Sequence, residues 1–291
     1  MKKYELSILI PARNEEWLVQ TINDILKNKT DKTEIIVGLD SEWSTPGIEQ
    51  HPDVQIFYSP VPLGQRAMTN QLCRLSQAKY VMKMDAHCAV DKNFDEKMIA
   101  DMQDDYTMIP MMYNLHVFSW KCLKCGKLTY MSPTPTSCED CDNTTRFKKK
   151  LVWKKRENRC TWSWGFDANL KFQYMDNAHT TPKEKDLVPT MSILGACFML
   201  TREKYWELNI CDENHGSWGQ QGVEVSCKTW LSGGKVVVNR KTWFAHLFRT
   251  QGGDFGFPYP NYAADQQKAL EYSQDLWFNN KFEKQIYPLS W

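Results

Sequence analysis

Along the first hundred residues, short apolar runs alternate with amphipathic stretches. Leu6 to Ile10 reads as a strand stopped by Pro11, and Trp17, Leu18, Ile22, Ile25 and Leu26 form a helical stripe. Glu34 to Leu39 and Val54 to Tyr58 read as strands, Gly64 to Ser76 as a helix, and Tyr80 to Met84 as a further strand. That order is the βαβ signature of a mostly parallel, Rossmann-like central sheet flanked by helices. The strands end in polar loops holding Asn14 and Glu15, Asp40, or Asp85 and His87. The carboxyl ends of strands in an open α/β sheet form the ligand crevice, so these loops should converge. From Trp120 to Arg159 the periodicity fades. It returns as a strand at Ile193 to Leu200, a helix from about Arg202, a helix at Gln220 to Trp230 and a strand at Lys235 to Asn239. The expected architecture is one α/β domain over residues 1–291 with a small insertion at 120–150.

Composition narrows the class. A chain of 291 residues with 42% hydrophobic and 13% aromatic content can bury a sizeable core, which excludes disorder as its main state. No run approaches the roughly 20 apolar residues of a membrane span. The start, MKKYELSILIP, reads as a first strand and not as an export signal. The ten cysteines are therefore expected as reduced thiols and metal ligands in a cytoplasmic protein. Cys122 and Cys125 form one C-x-x-C, and Cys138 and Cys141 form a second after twelve intervening residues. Two such knuckles offer four thiolates to a tetrahedral zinc. With its coordination sphere filled, that zinc should be structural, standing in for a core the short insertion cannot build. Cys73, Cys160, Cys197 and Cys227 read as small buried side chains, and Cys88 and Cys211 receive no role.

Asp85 and His87 lie two apart at a strand end, so both point to one side, a donor pair suited to a divalent metal such as Mn²⁺. Taken alone, the same pair also reads as a capping Asp beside a solvated His. SILIPARNEE, EIIVGLDSE, the Gly64-Gln65-Arg66 turn with Asn70, and LGACFMLTREKYWEL resemble family 2 glycosyltransferases of the GT-A fold. More narrowly, Asp85-Ala86-His87-Cys88, Gly165-Phe166-Asp167-Ala168-Asn169-Leu170, Trp218-Gly219-Gln220-Gln221-Gly222-Val223-Glu224 and His246-Leu247-Phe248-Arg249 resemble motifs of the polypeptide N-acetylgalactosaminyltransferases. The resemblance implies a GT-A fold and a UDP-sugar-dependent glycosyltransferase. It implies Asp85, His87 and His246 as ligands of Mn²⁺ or Mg²⁺ and Arg249 as a diphosphate contact. Pro11, Arg13, Asn14, Glu15, Asp40, Gly64, Arg66 and Asp85 would bind the donor, and Trp218, Gln221 and Glu224 would serve catalysis.

The departures carry information. Inverting family 2 enzymes use a Glu-Asp motif on the late helix to take the acceptor's proton. This chain has Gln221 and Gly222 there, with Glu224 the only acid nearby. Either Glu224 is the base of an inverting reaction or the enzyme retains configuration without one, and the Asp-x-His and His-Leu-Phe-Arg matches favour retention. Glu224 can also simply pair with Lys228 one turn later. Ala168 replaces a family tryptophan, and the secretory family's membrane anchor and lectin domain have no counterpart, which points away from the Golgi.

The net charge of +1 conceals a local asymmetry. Arg146 to Arg159, RFKKKLVWKKRENR, carries eight basic residues and one acidic, or +7, leaving −6 on the rest. A basic strip with interleaved aromatics fits phosphate contact and base stacking. It also fits a solvated basic face beside a metal knuckle. Together with the zinc insertion, it resembles phage-type enzymes that glycosylate hydroxymethylated pyrimidines in DNA. The expected acceptor is thus a 5-hydroxymethylpyrimidine in DNA, met by Lys149, Trp153, Lys154 and Arg156, in the cytoplasm of a phage host. A protein Ser/Thr or glycan acceptor is the alternative, and a non-catalytic zinc-stabilised nucleic-acid-binding protein is the second.

Overall fold

The computed structural model describes residues 3–144, 146–175, 185–249, 256–260 and 263–290. Strands β1 (Leu6–Ala12), β2 (Thr33–Asp40), β3 (Val54–Ser59) and β4 (Tyr80–Met84), with helices α1 (Leu18–Asn28) and α2 (Gln65–Leu75) between them, open the chain. They lie in the order β3-β2-β1-β4, all parallel. β2 is buried at all eight positions, as a strand covered on both faces must be. Gly38 in β2 is required by close packing, because a Cβ there would fall 2.3 Å from Met68 Sδ of α2. β1 runs through Pro11 instead of stopping at it. Pro11 lies past Leu9–Lys83, the last β1–β4 pair, where the strand is paired on one side and a missing N–H is tolerated.

β5 (Cys88–Val90), α3 (Phe94–Asp101), β6 (Tyr106–Cys122), β7 (Leu128–Tyr130), β8 (Phe147–Thr161), β9 (Trp164–Phe166) and β10 (Phe172–Tyr174) follow. The chain continues with β11 (Leu187–Pro189), β12 (Cys197–Thr201), α4 (Arg202–Glu207), α5 (Gln221–Leu231), β13 (Lys235–His246) and α6 (Ala263–Phe278). β12 inserts antiparallel between β4 and β6, and β13 runs parallel to β6 with β11 on its outer edge. β9 and β10 pair separately. Among the described residues no helix is long and apolar enough to cross a membrane.

Two further expectations change, and one helix had none. The strand expected from Ile193 begins only at Cys197, because the Gly195 carbonyl is given to a side chain, although the ladder to the β4 end reaches Ala196. Gly195 O accepts from Lys83 Nζ, and Ala196 O accepts from Asp85 N. The basic segment is not irregular: it is the fifteen-residue β8, antiparallel to β6 and broken by register shifts near Trp153, whose φ is +53°, and between Lys155 and Cys160. Its pattern was hidden because one face rests on the body and the other is charged. Helix α6 escaped the periodicity because its buried face mixes Ala269 and Ser273 with Leu270, Leu276 and Trp277.

Candidate active site

The three polar loops converge with the end of β13 on a cavity of about 660 Å³. Asp85 and His87 leave the end of β4, while His246 ends β13, whose pairing with β5 sets His246 opposite Cys88. His87 Nε2 and His246 Nε2 are 3.1 Å apart, and His246 Nε2 lies 3.3 Å from Asp85 Oδ2. One ligand atom from each residue falls within 4.8 Å of the others. Burial lowers the His246 imidazole to about 4, so it is neutral and keeps a lone pair to donate. Burial alone would raise the Asp85 carboxyl, but Lys83 first and then the two imidazoles hold it well below the usual range. Two imidazole nitrogens and one carboxylate oxygen with nothing cationic between them fit a divalent metal of intermediate softness.

Behind these three side chains sits a supporting layer. Glu15 lies 3.4 Å from His87 Nδ1 and also bonds Arg249, which reaches Gly256 O at 3.2 Å. Lys83, fully buried in β4, bonds Asp85 Oδ1, which Gln65 Nε2 also approaches at 3.3 Å. Oδ2 is left to face the histidines. Pro11, Arg13, Glu15, Asp40, Gly64, Asp85 and Arg249 all line the cavity, as do Trp218 and Gln221. Asp40 spends both oxygens on the turn before α2, accepting from Leu63 N at 2.6 Å and Gly64 N at 3.0 Å. Gly64 has φ +86°, and a Cβ on it would sit 2.8 Å from Ser217 Cβ. Asn14 is not part of the lining and donates to Pro258 O at 3.2 Å.

Two further expectations fail on geometry, while the alternative pairing of Glu224 with Lys228 holds. Arg66 does not reach the cavity. It is 1% exposed, with Nε on Glu224 at 2.9 Å and its other nitrogens on the carbonyls of Gly216 and Gly219. Glu224 is 0% exposed and off the lining, held by Arg66, by Lys228 at 2.9 Å and by Asp212 N at 2.7 Å. It cannot meet an acceptor hydroxyl. Gly222 is explained as well: a Cβ there would lie 1.9 Å from Ile193 O, so no acid fits at that position. Among the described residues the cavity's carboxylates are Glu15, Asp40 and Asp85, each already engaged.

The sequence reading missed the aromatic wall. Phe257 packs against Trp218 at 5.7 Å and Tyr259 at 5.8 Å, and all three line the cavity. No motif marks Phe257 or Tyr259. Lys83 carried a signal that went unused, since a lysine inside an apolar strand two residues from Asp85 calls for a buried partner.

Residues 7–121 match Glycosyl transferase family 2. The chain carries a family 2 glycosyltransferase domain. It is homologous to polypeptide N-acetylgalactosaminyltransferases. N-acetylgalactosaminyltransferase 7 of Homo sapiens is 22% identical over 300 residues, covering 94% of this chain and 40% of that protein. Polypeptide N-acetylgalactosaminyltransferase 3 of Mus musculus is 22% identical over 256 residues, covering 84% and 37%. The crystal structure of GalNAc-T7 with UDP, GalNAc and Mn2+ superposes with a TM-score of 0.67 at 17% identity, over 94% of this chain and 49% of that one. The glycosyltransferase domain therefore has the GT-A fold, and the chain spans about two-fifths of the length of these curated relatives.

The far end of β6 forms a ribbon with β7 and β8, with the cysteines at its tip. Cys122 and Cys141 Sγ are 3.8 Å apart, Cys125 and Cys138 Sγ 3.5 Å, and all four fall within 4.8 Å of one another. Hydrogen bonds from the backbone N–H groups of Cys125 and Lys124 help lower the Cys122 thiol to about 6, and Asn143 Nδ2 donates to its sulfur at 3.3 Å. Among the remaining six, burial raises the thiols of Cys73, Cys88, Cys197, Cys211 and Cys227, as inert core residues require. The proposed acceptor residues separate. Lys149 bonds Glu16 at 2.8 Å and lies over Trp17 and Phe118, and Trp153 packs on Trp17, so both face the body. Lys154 and Arg156 face the other way, the former opposite His116 and the latter over Tyr130.

Proposed function

We propose that this chain is a metal-dependent glycosyltransferase that moves a sugar from a UDP-sugar to a hydroxyl of a protein Ser or Thr, with retention of configuration. The carrying observation is the convergence of Asp85, His87 and His246 in the crevice at the strand ends. Asp85 Oδ2 and the two Nε2 atoms would hold Mn²⁺ or Mg²⁺, which would stabilise charge on the departing diphosphate. Arg249, oriented by Glu15, adds fixed positive charge at the same end of the cavity. The first loop and Asp40 shape the nucleoside end, and Trp218, Phe257 and Tyr259 wall the side where sugar and acceptor meet.

The carboxylates support the retaining reading. With Glu224 buried in an ion pair and no space for an acid at residue 222, no described carboxylate is free to take the acceptor's proton. In the retaining path, the sugar's anomeric carbon parts from the phosphate oxygen as the acceptor oxygen bonds on the same face. The acceptor's proton leaves on the diphosphate. The peptide acceptor and an N-acetylgalactosamine donor are supported by the names of the relatives. The four cysteines would hold one structural zinc.

A second acceptor, a 5-hydroxymethylpyrimidine in DNA, is favoured by the basic face of the ribbon described below. Incubation with UDP-N-acetylgalactosamine, Mn²⁺, Ser/Thr peptides and hydroxymethylated DNA discriminates the two by mass shift. NMR of the product gives the anomeric outcome. A product of inverted configuration sinks retention, and no transfer or donor hydrolysis by wild type sinks the enzyme reading, leaving a binding module.

A further inference from the structure

We propose that the outward face of the β7-β6-β8 ribbon is a binding platform for single-stranded nucleic acid. It rests on neither acceptor reading. Directly opposed residues in an antiparallel pair share a face, so the register assigns its members. Lys121 lies opposite Lys148, Ser119 opposite both Lys150 and Tyr130, and His116 opposite Lys154. His116 joins that face by bonding Ser119 Oγ at 3.0 Å and by packing its ring 4.7 Å from Tyr130. Arg156 completes it, lying 4.6 Å over the Tyr130 ring and donating to its hydroxyl at 3.1 Å. One face thus carries five cations and two rings packed at a tilt.

The charge on this face is uncompensated. Among the described residues Lys121, Lys148, Lys150 and Lys154 form no ion pair, whereas nearby Lys124 pairs with Asp142 and Lys127 with Asp140 and Glu139. Lys149 and Lys155, on the opposite face, are also occupied, by Glu16 and by Glu157. Protecting the free edge of β8 from strand pairing accounts for lysines on β8. It does not account for Lys121 on the middle strand directly opposite Lys148, an arrangement that destabilises a sheet until an anion lies across it. Nor does it account for the rings. Cations in register along a strand with aromatic rings among them suit a phosphate backbone with stacked bases better than an acidic peptide.

The platform leads towards the active site. His246, a candidate metal ligand, is paired with Asn114 of β6. His116 is two residues further along and Lys121 seven, so the face runs from roughly 7 to 23 Å beyond that register position.

The test is fluorescence anisotropy with a labelled oligothymidylate, titrated over a range of salt concentrations. Five phosphate contacts predict a slope of log K against log salt of about −3.5. The combined Lys148→Gln, Lys150→Gln and Lys154→Gln variant should lose about 2 of that slope. Tyr130→Leu should weaken binding about tenfold with the slope little changed. An unchanged thermal midpoint and unchanged UDP binding show that these surface variants are folded. Absence of binding at low salt, a triple variant with the wild-type slope, or polyglutamate competing as well as the oligonucleotide would overturn the proposal. UDP binding without oligonucleotide binding overturns this inference and leaves the transferase reading standing. Oligonucleotide binding without UDP binding does the reverse.

Discussion

Glu224→Gln separates a structural from a catalytic role for the acid nearest the family's base position. The wild-type carboxylate is fully buried and bonds Arg66, Lys228 and Asp212 N. Burial would raise its carboxyl, yet Lys228, Arg66 and His215 hold it well below the usual range. Removing the charge leaves two buried cations facing a neutral amide, a change that costs about 3 kcal/mol because half of the hydrogen bonding survives. For a chain of this length the unfolding entropy is about 0.6 kcal/mol per degree, so the midpoint should fall by about 5 °C. The carboxylate's contribution is present above its unfolded value of 4.5 and is lost as pH falls through the depressed folded value. The gap between wild type and variant should therefore be full at pH 7 and shrink below pH 4.5. Transfer should drop less than tenfold, through slackening of the Gly216 to Gly219 loop that Arg66 holds. A general base predicts the opposite pattern, with kcat lower by about 10² to 10⁴. An unchanged midpoint with such a loss of kcat would refute the structural role.

Burial lowers the His215 imidazole to about 4 from 6.5, so the unfolded chain takes up a proton first and stability falls as pH drops through that window. His215→Asn should flatten the pH dependence of urea unfolding between pH 6.5 and 4, and an unaltered slope would contradict this. His246→Ala should abolish Mn²⁺ retention in equilibrium dialysis while the fold persists, whereas Mn²⁺ binding at wild-type affinity would remove His246 from the ligand set. Metal analysis should find about one zinc per chain, and Cys122→Ser with Cys138→Ser should lose it and unfold the ribbon tip but not the domain body. Gly222→Ala should destabilise by about 2 kcal/mol or more, read in chemical unfolding, because its Cβ meets the Ile193 carbonyl. A neutral effect there would mean that α5 can shift, and would reopen the position to an acid.

What was legible from sequence followed from how strongly each local pattern was constrained. β2 and β4 are buried on both faces, so their apolar runs announce themselves, and Asp85 and His87 are legible because they interrupt such a run at its end. The cysteine spacing brought four sulfurs together for the same reason: short knuckles leave little freedom. Arg66 was misread because charge in a motif is taken to face a ligand, whereas for Glu224 the alternative of a Lys228 partner one turn later is the one the structure holds. Whether a charge faces ligand or counter-charge depends on a contact 158 residues apart in sequence, which no local pattern encodes. Phe257 and Tyr259 were missed on the same grounds, since an aromatic in a proline-containing loop acquires a role only when the fold brings Trp218 beside it. β8 is the instructive intermediate. Its basic residues drew attention as a strip, but strand alternation and the register shift near Trp153 divide them between two faces. One lysine set is spent on the body and the other is left without counter-charge. A +7 segment thus has two jobs, and only the residues on the outward face are available to a partner.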